Sequence, residues 1–140
     1  MQSLRERMRR LVALLSLVIA GACGNPTGPK DIVGTYFLRT VGGSPLPVTA
    51  WQSSTEKLEW TGGSLSLRTN HSFSGSITSR LTVGSQVTGA TMGLAGTWQE
   101  NGLEVTISCC CDQGTSAGSI SGHTLTIADG DRTLVYVRLW

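Results

Sequence analysis

The sequence predicts an all-β domain, an antiparallel up-and-down meander closed into a small barrel, with a two-sheet β-sandwich as the alternative. Three observations predict it. Apolar and polar residues alternate with period two, as a strand with one buried and one wet face requires. Turn-forming pairs recur at short intervals, namely Gly42-Gly43, Gly62-Gly63, Asn70-His71, Gly84-Ser85, Asn101-Gly102, Gly122-His123 and Asp129-Gly130. Gly, Ser and Thr are abundant in this part of the chain, charge is sparse, and long Ala/Leu/Glu/Lys helical patches are absent.

In chain order, strands are expected near 33–41, 45–51, 63–70, 72–83, 86–91, 94–100, 103–110, 116–121, 123–128 and 132–139. Phe73, Ile77, Leu81 and Val83 share one face of the 72–83 run, and Ser72, Ser74, Ser76 and Thr78 take the other. Leu103, Val105 and Ile107 alternate with Glu104, Thr106 and Ser108, and Leu125 and Ile127 alternate with Thr124 and Thr126. These patterns belong to half-buried antiparallel strands. Asn101-Gly102 is expected to supply two positive φ values for a tight hairpin. The last run, Leu134 to Trp140, is apolar on both faces, as suits a strand that closes a barrel. Closure is favoured because an open sheet of so many short strands leaves its edges unpaired. The more polar stretch Gln52 to Glu59 reads as a loop or short helical turn over one mouth.

The first 30 residues are of a different kind. Arg5, Arg7, Arg9 and Arg10 precede an apolar run from Leu11 to Ala20, followed by Ala20-Gly21-Ala22-Cys23. The apolar run is about half the roughly 20 residues that span a bilayer, so it reads as an export signal, residues 1–22, and not as a permanent membrane helix. Small residues crowding up to a cysteine resemble the lipobox of bacterial lipoproteins, with Ala20 where Leu is usual. That resemblance implies lipid on Cys23, and the alternative is an ordinary signal cleaved after Ala22. Gly24, in place of the Asp that retains such proteins at the inner membrane, implies the outer membrane of a two-membrane cell. Residues 23–30, with Pro26 and Pro29 among turn formers, read as a tether to a domain spanning 31–140.

Residues 1–22 hold four Arg and one Glu, so the whole-chain charge of +2 becomes seven basic against eight acidic side chains, or −1, beyond them. No basic face remains for nucleic acid, which needs clustered Lys or Arg. The 110 residues from Asp31 to Trp140 suffice for one modest core.

Several short segments carry a family resemblance: Asp31-Ile32-Val33-Gly34-Thr35-Tyr36, Gly42-Gly43-Ser44-Pro45-Leu46-Pro47, Gly63-Ser64-Leu65-Ser66-Leu67, Gly96-Thr97-Trp98 and Ile120 to Ile127. Together they resemble the small lipocalin-like domains of bacterial lipoproteins, over about residues 31–139. The resemblance implies an antiparallel barrel whose interior takes a small apolar ligand. Lipocalins carry Gly-x-Trp on the first strand; this chain has Gly34-Thr35-Tyr36 there and Gly96-Thr97-Trp98 later.

Candidate ligand contacts at the wall or mouth are Tyr36, Trp51, Trp60, Phe73 and Trp98, with Trp98 also read as an indole packed over a glycine gap. Cys109, Cys110 and Cys111 end one strand, with Cys109 and Cys111 in phase with inward Ile107. Adjacent thiols suit a soft metal or redox site, or form one local disulfide and a spare, or sit as small buried hydrophobes. The four ligands at looped spacing of a zinc site are missing from the sequence. His71 and His123 fall at turns, where a solvated imidazole is the default, and no Gly-x-Ser-x-Gly marks a nucleophile. Glu56 and Glu59 around Lys57 read as a solvated loop, and Asp129-Gly130-Asp131 as a hairpin tip. No residue is assigned a catalytic role and no cofactor is expected; a module that binds a small apolar or amphipathic molecule is expected, with a structural or interaction lipoprotein whose barrel is filled by its own side chains as the alternative, and enzymatic turnover ranks last.

Overall fold

The computed structural model describes residues 32–109 and 114–140; the signal, Cys23 and tether, along with Cys110 and Cys111, lie outside the described residues. All ten regular elements are strands: β1 (Gly34–Val41), β2 (Ser44–Pro45), β3 (Val48–Gln52), β4 (Glu56–Leu67), β5 (Ser72–Val83), β6 (Gln86–Asn101), β7 (Glu104–Cys109), β8 (Thr115–Ser121), β9 (Thr124–Asp129) and β10 (Arg132–Arg138). From β4 to β10 each strand pairs antiparallel with its sequence neighbour. Strand β1 then lies between β10 and β4, pairing Phe37 with Val137 and with Ser64, and so closes an eight-stranded barrel. The two extra strands, β2 and β3, hang from β1 and β4. The structure is a single closed barrel, not the two-sheet sandwich.

Five two-residue hairpin loops set this register, and each has glycine at its first position: Gly42, Gly84, Gly102, Gly122 and Gly130, all with φ between 58° and 65°. Only Gly43 adds a second positive φ, so only Gly42-Gly43 has the two that a type I′ turn demands. The other four follow the II′ pattern, whose twist also matches the flanking strands. This corrects the expectation at Asn101-Gly102. Asn101 is the last residue of β6, paired with Glu104, and the loop is Gly102-Leu103. Leu103 therefore stands at a turn tip, 61% exposed, and not on the inner face with Val105 and Ile107.

Strand lengths differ sharply around the barrel. At about 3.3 Å per residue, the 16 residues of β6 run roughly 50 Å and the six of β7 roughly 20 Å. Gly96–Asn101 of β6 pairs with β7, while Gln86–Ala95 pairs only with β5 among the described residues. The far halves of β4, β5 and β6, with β3, thus project past the barrel mouth as a tongue. The two strands expected at 86–91 and 94–100 are one, because Gly93 between them lies in the ladder opposite Ser76. Leu81 and Val83 keep the phase of Phe73 and Ile77 but stand on the tongue, where no opposite wall covers them, at 37% and 41% exposure.

The stretch read as a loop from Gln52 to Glu59 is another correction, since β4 already begins at Glu56. Its charges do not prevent a strand, because Lys57 and Glu59 share one face with Arg80. Glu59 sits opposite Arg80 across the β4–β5 ladder, with Lys57 two residues away, while Leu58 and Trp60 take the other face. Strand β3, expected over 45–51, begins at Val48, and Ser44–Pro45 pairs separately with β1.

The core follows the inward phase of every barrel strand. Tyr36, Leu67, Trp98, Val105, Ile120 and Leu125 fill one end completely. This closed end carries the β8–β9 turn and the chain's entry at Ile32, which is itself buried. The opposite end carries the tongue and the β9–β10 turn.

Candidate functional site

At the closed end, Trp98 and the β4–β5 loop lock together. The Trp98 indole Nε1–H reaches the Arg68 and Ser72 carbonyls, each at 3.1 Å, and its backbone N–H donates to the His71 carbonyl at 2.8 Å. His71 adopts φ 61°, and its ring lies 4.7 Å from the Trp98 ring. The imidazole is exposed, as expected at this turn, and one side of it lies on the indole. Tyr36 is also fully buried, and its hydroxyl donates to the Ile32 carbonyl at 2.7 Å. Arg138 passes over Gly34, donates to the Val33 carbonyl at 2.8 Å, and holds its guanidinium 5.9 Å from the Tyr36 ring. Two of the five candidate aromatics, Tyr36 and Trp98, are therefore floor and do not line the barrel cavity.

Above this floor the barrel is not filled. A cavity of about 300 Å³ opens toward the mouth, at the lower end of the ~300–1,000 Å³ usual for ligand sites. Phe73 and Ile77 of β5 form part of its wall with Leu65 of β4. Leu94 and Met92 of β6, Ile107 of β7, Ile127 of β9 and Leu134 of β10 complete the apolar lining. Trp60 stands at the rim, held by the Arg132 guanidinium 5.5 Å from its ring; Arg132 also donates to the Ala50 carbonyl at 3.2 Å. Polar atoms come from Tyr136, Asp129, Ser116 and Cys109.

Two candidates, Trp60 and Phe73, do line the cavity. The ring packed over the glycine gap is Phe73's, against Gly96, two residues before Trp98. Trp51 pairs with Leu58 on the tongue, is 49% exposed, and lies outside the lining. Cys109 faces the interior, in phase with Ile107, as a free thiol 3.6 Å from the Ala95 carbonyl. Among the described residues no three His, Cys, Asp or Glu side chains converge as a metal site requires. His123 sits at the closed end against Trp140, ring centroids 4.3 Å apart, and its Nδ1 is buried without a partner.

Tyr136 was not among the sequence candidates. It lies in the run that is apolar on both faces, so phase alone did not single it out; the signal was the one hydroxyl in that run. It is 2% exposed, and burial, with the Asp129 carboxylate adding to it, pushes its phenol up to about 12. It therefore remains a neutral hydrogen-bond donor.

On the outer face of β4, Glu59 is buried between Lys57 Nζ and Arg80 Nη2, each at 2.7 Å, with Arg80 Nε at 3.1 Å. The solvated acid expected there is an ion cluster. Hydrogen bonds from Lys57 and then Arg80 hold its carboxyl below the usual carboxylate range. Because the folded pKa is depressed, the cluster stabilises the fold fully above the unfolded carboxyl value of about 4.3 and ceases to do so as pH falls through the folded value. Glu59→Gln is expected to lower the urea midpoint at pH 7 and to lower it less at pH 3. An equal deficit at both pH values would assign the loss to packing.

A second depression, about 490 Å³ but shallow, lies where β1 parts from β4, between Leu38, Leu46 and Gly62. It is open to solvent and has fewer apolar walls. Compared with family models, with curated proteins and with solved structures, the chain matches none.

Proposed function

We propose that this protein is a lipocalin-like lipoprotein of the bacterial cell envelope, anchored through lipid on Cys23, that binds a small apolar or amphipathic molecule in its barrel. The observation that carries this reading is the unfilled part of the interior: a cavity of about 300 Å³ with predominantly apolar walls. A barrel that served only as a scaffold gains nothing from it, since each unfilled volume forfeits dispersion contacts. The role is binding and not catalysis. Both histidines sit on turns at the closed end, away from the cavity, and the one lining carboxylate among the described residues, Asp129, is exposed.

The path of the chain agrees with an anchor. Ile32 enters at the closed end, and the eight residues 24–31 reach at most about 28 Å. A lipid on Cys23 holds the closed end toward its membrane, and the mouth and tongue face away from it. Several acyl chains, each methylene contributing about 0.8 kcal/mol, make such an anchor slow to release.

Native mass spectrometry of the full protein, purified from the membranes of its own cell, tests both halves. The expected spectrum shows a chain beginning at Cys23 with acyl mass attached, together with a non-covalent small molecule lost on activation. A chain without acyl mass overturns the anchor. A lipidated barrel that never retains a small molecule overturns the binding role and favours an interaction protein working through its outer surface.

A further inference from the structure

Two tyrosines are buried in this barrel, and they are treated differently. Tyr36, at the floor, gives its hydroxyl to the Ile32 carbonyl at 2.7 Å. Tyr136 lies one strand away, in contact with β1 through the Leu38–Tyr136 pair, and its side chain lines the cavity. Its hydroxyl has no hydrogen-bonding partner among the described residues, yet it is not sealed in the core as His123 Nδ1 is. It opens onto the cavity. A buried phenol normally finds a partner, because an unpaired polar group away from water costs roughly 1–3 kcal/mol. A molecule that fills the cavity shuts water away from this hydroxyl and must itself supply the partner.

The surroundings limit what that occupant carries. The walls around Tyr136 are apolar, Leu65, Phe73, Ile127 and Leu134 among them. Among the described residues the one carboxylate in the lining is Asp129, near enough for its charge to act on the Tyr136 phenol. Among the described residues no Lys or Arg lines the cavity, and Arg132, opposite Asp129 across the β9–β10 hairpin, is engaged with the Ala50 carbonyl and the Trp60 ring. An anion placed at Tyr136 meets a neighbouring negative charge and loses its hydration without a cation in return. A neutral oxygen there accepts one hydrogen bond and suffers neither penalty.

Resting on the reading of the cavity as a binding site, we propose that it selects apolar molecules bearing one uncharged acceptor oxygen, a ketone, ester or alcohol, which takes the Tyr136 hydroxyl bond, and discriminates against carboxylates. This goes beyond a generic apolar site in naming both the group recognised and the residue that recognises it.

Three compounds of nearly equal shape separate the possibilities: 2-acetylnaphthalene, 2-isopropylnaphthalene and 2-naphthoate. Each is titrated calorimetrically at pH 7.5 into the full protein in detergent, and into Tyr136→Phe and Asp129→Asn in the same micelles, so that partitioning cancels between variants. The ketone is expected to bind about five-fold tighter than the isopropyl compound, the scale of one neutral hydrogen bond. It is expected to exceed the carboxylate by ten-fold or more. Tyr136→Phe should erase the ketone's advantage over the isopropyl compound while leaving the latter's affinity in place. Asp129→Asn, at an exposed position, should narrow the gap between ketone and carboxylate. Naphthoate binding as tightly as the ketone, or a ketone preference that survives Tyr136→Phe, overturns the selectivity but leaves a binding cavity. Binding of none of the three overturns the cavity reading itself.

Discussion

Trp98→Ala is expected to cost about 3–5 kcal/mol, the range for removing a buried large aromatic, and to lower the melting temperature by roughly 12–20 °C in a domain of this size. The loss is a large share of the ~5–15 kcal/mol that holds a typical domain together. Trp98 is 3% exposed, spans the closed end, and joins two parts of the chain: its own strand β6 and the β4–β5 turn, through Arg68, Ser72 and the His71 ring. Trp98→Phe separates volume from hydrogen bonding. The Arg68 carbonyl also accepts from the His71 N–H, and the Ser72 carbonyl from the Arg68 N–H, so neither is orphaned when the indole N–H goes. The phenylalanine variant should therefore lose much less, about 1–2 kcal/mol, mostly from unfilled space. Trp140→Ala serves as the comparison, because that side chain is wholly exposed and its removal should stay within about 0.5 kcal/mol. Chemical unfolding of the three variants measures all of this. A Trp98→Ala protein as stable as the parent would mean that the closed end is not the core of the fold.

The strands were legible in the sequence because a barrel strand reads one face in and one face out, and the phase of Val105 and Ile107, of Leu125 and Ile127, and of Phe73 and Ile77 is the phase the structure has. Position along the barrel axis was not legible. Inward phase is shared by floor, cavity wall and tongue, and height is fixed only by the register of strands far apart in sequence, such as β1 with β4 and β10. This is why Tyr36 and Trp98, placed at a wall or mouth from sequence, are floor, while Trp60 and Phe73 stand higher and meet the cavity. It is also why Leu81 and Val83 looked like core. Trp51 depended on which neighbour β3 chose, and it chose the far half of β4, beyond the point where β1 closes the barrel. The charges of Glu56 to Glu59 hid a strand because only the cross-strand Arg80, 21 residues from Glu59, explains how they are accommodated.

Gly96→Ala and Gly93→Ala are expected to differ by about 3 kcal/mol although they make the same chemical change three residues apart on β6. A Cβ at Gly96 would overlap the Ser108 carbonyl oxygen of β7 and come within 2.7 Å of Phe73 Cε1, whereas a Cβ at Gly93 meets nothing within 4 Å. Backbone relief is blocked at Gly96, which is laddered on one side to Phe73 and on the other to Cys109. Overpacking a fixed site costs about 1–3 kcal/mol, and a carbonyl of the neighbouring strand yields less readily than a side chain. At Gly93 the same methyl only restricts the unfolded chain, so that variant should be neutral or up to about 1 kcal/mol more stable. Because strand propensity and unfolded-state entropy change alike in both, the difference isolates the contact. It also bears on binding. Phe73 lines the cavity, and its ring reaches its place by lying against the bare backbone of Gly96. If Gly96→Ala folds, the methyl turns that ring inward and narrows the cavity, so affinity for 2-acetylnaphthalene should fall even where the barrel persists. Equal stability of the two variants would show that β6 and β7 part more easily than this packing allows.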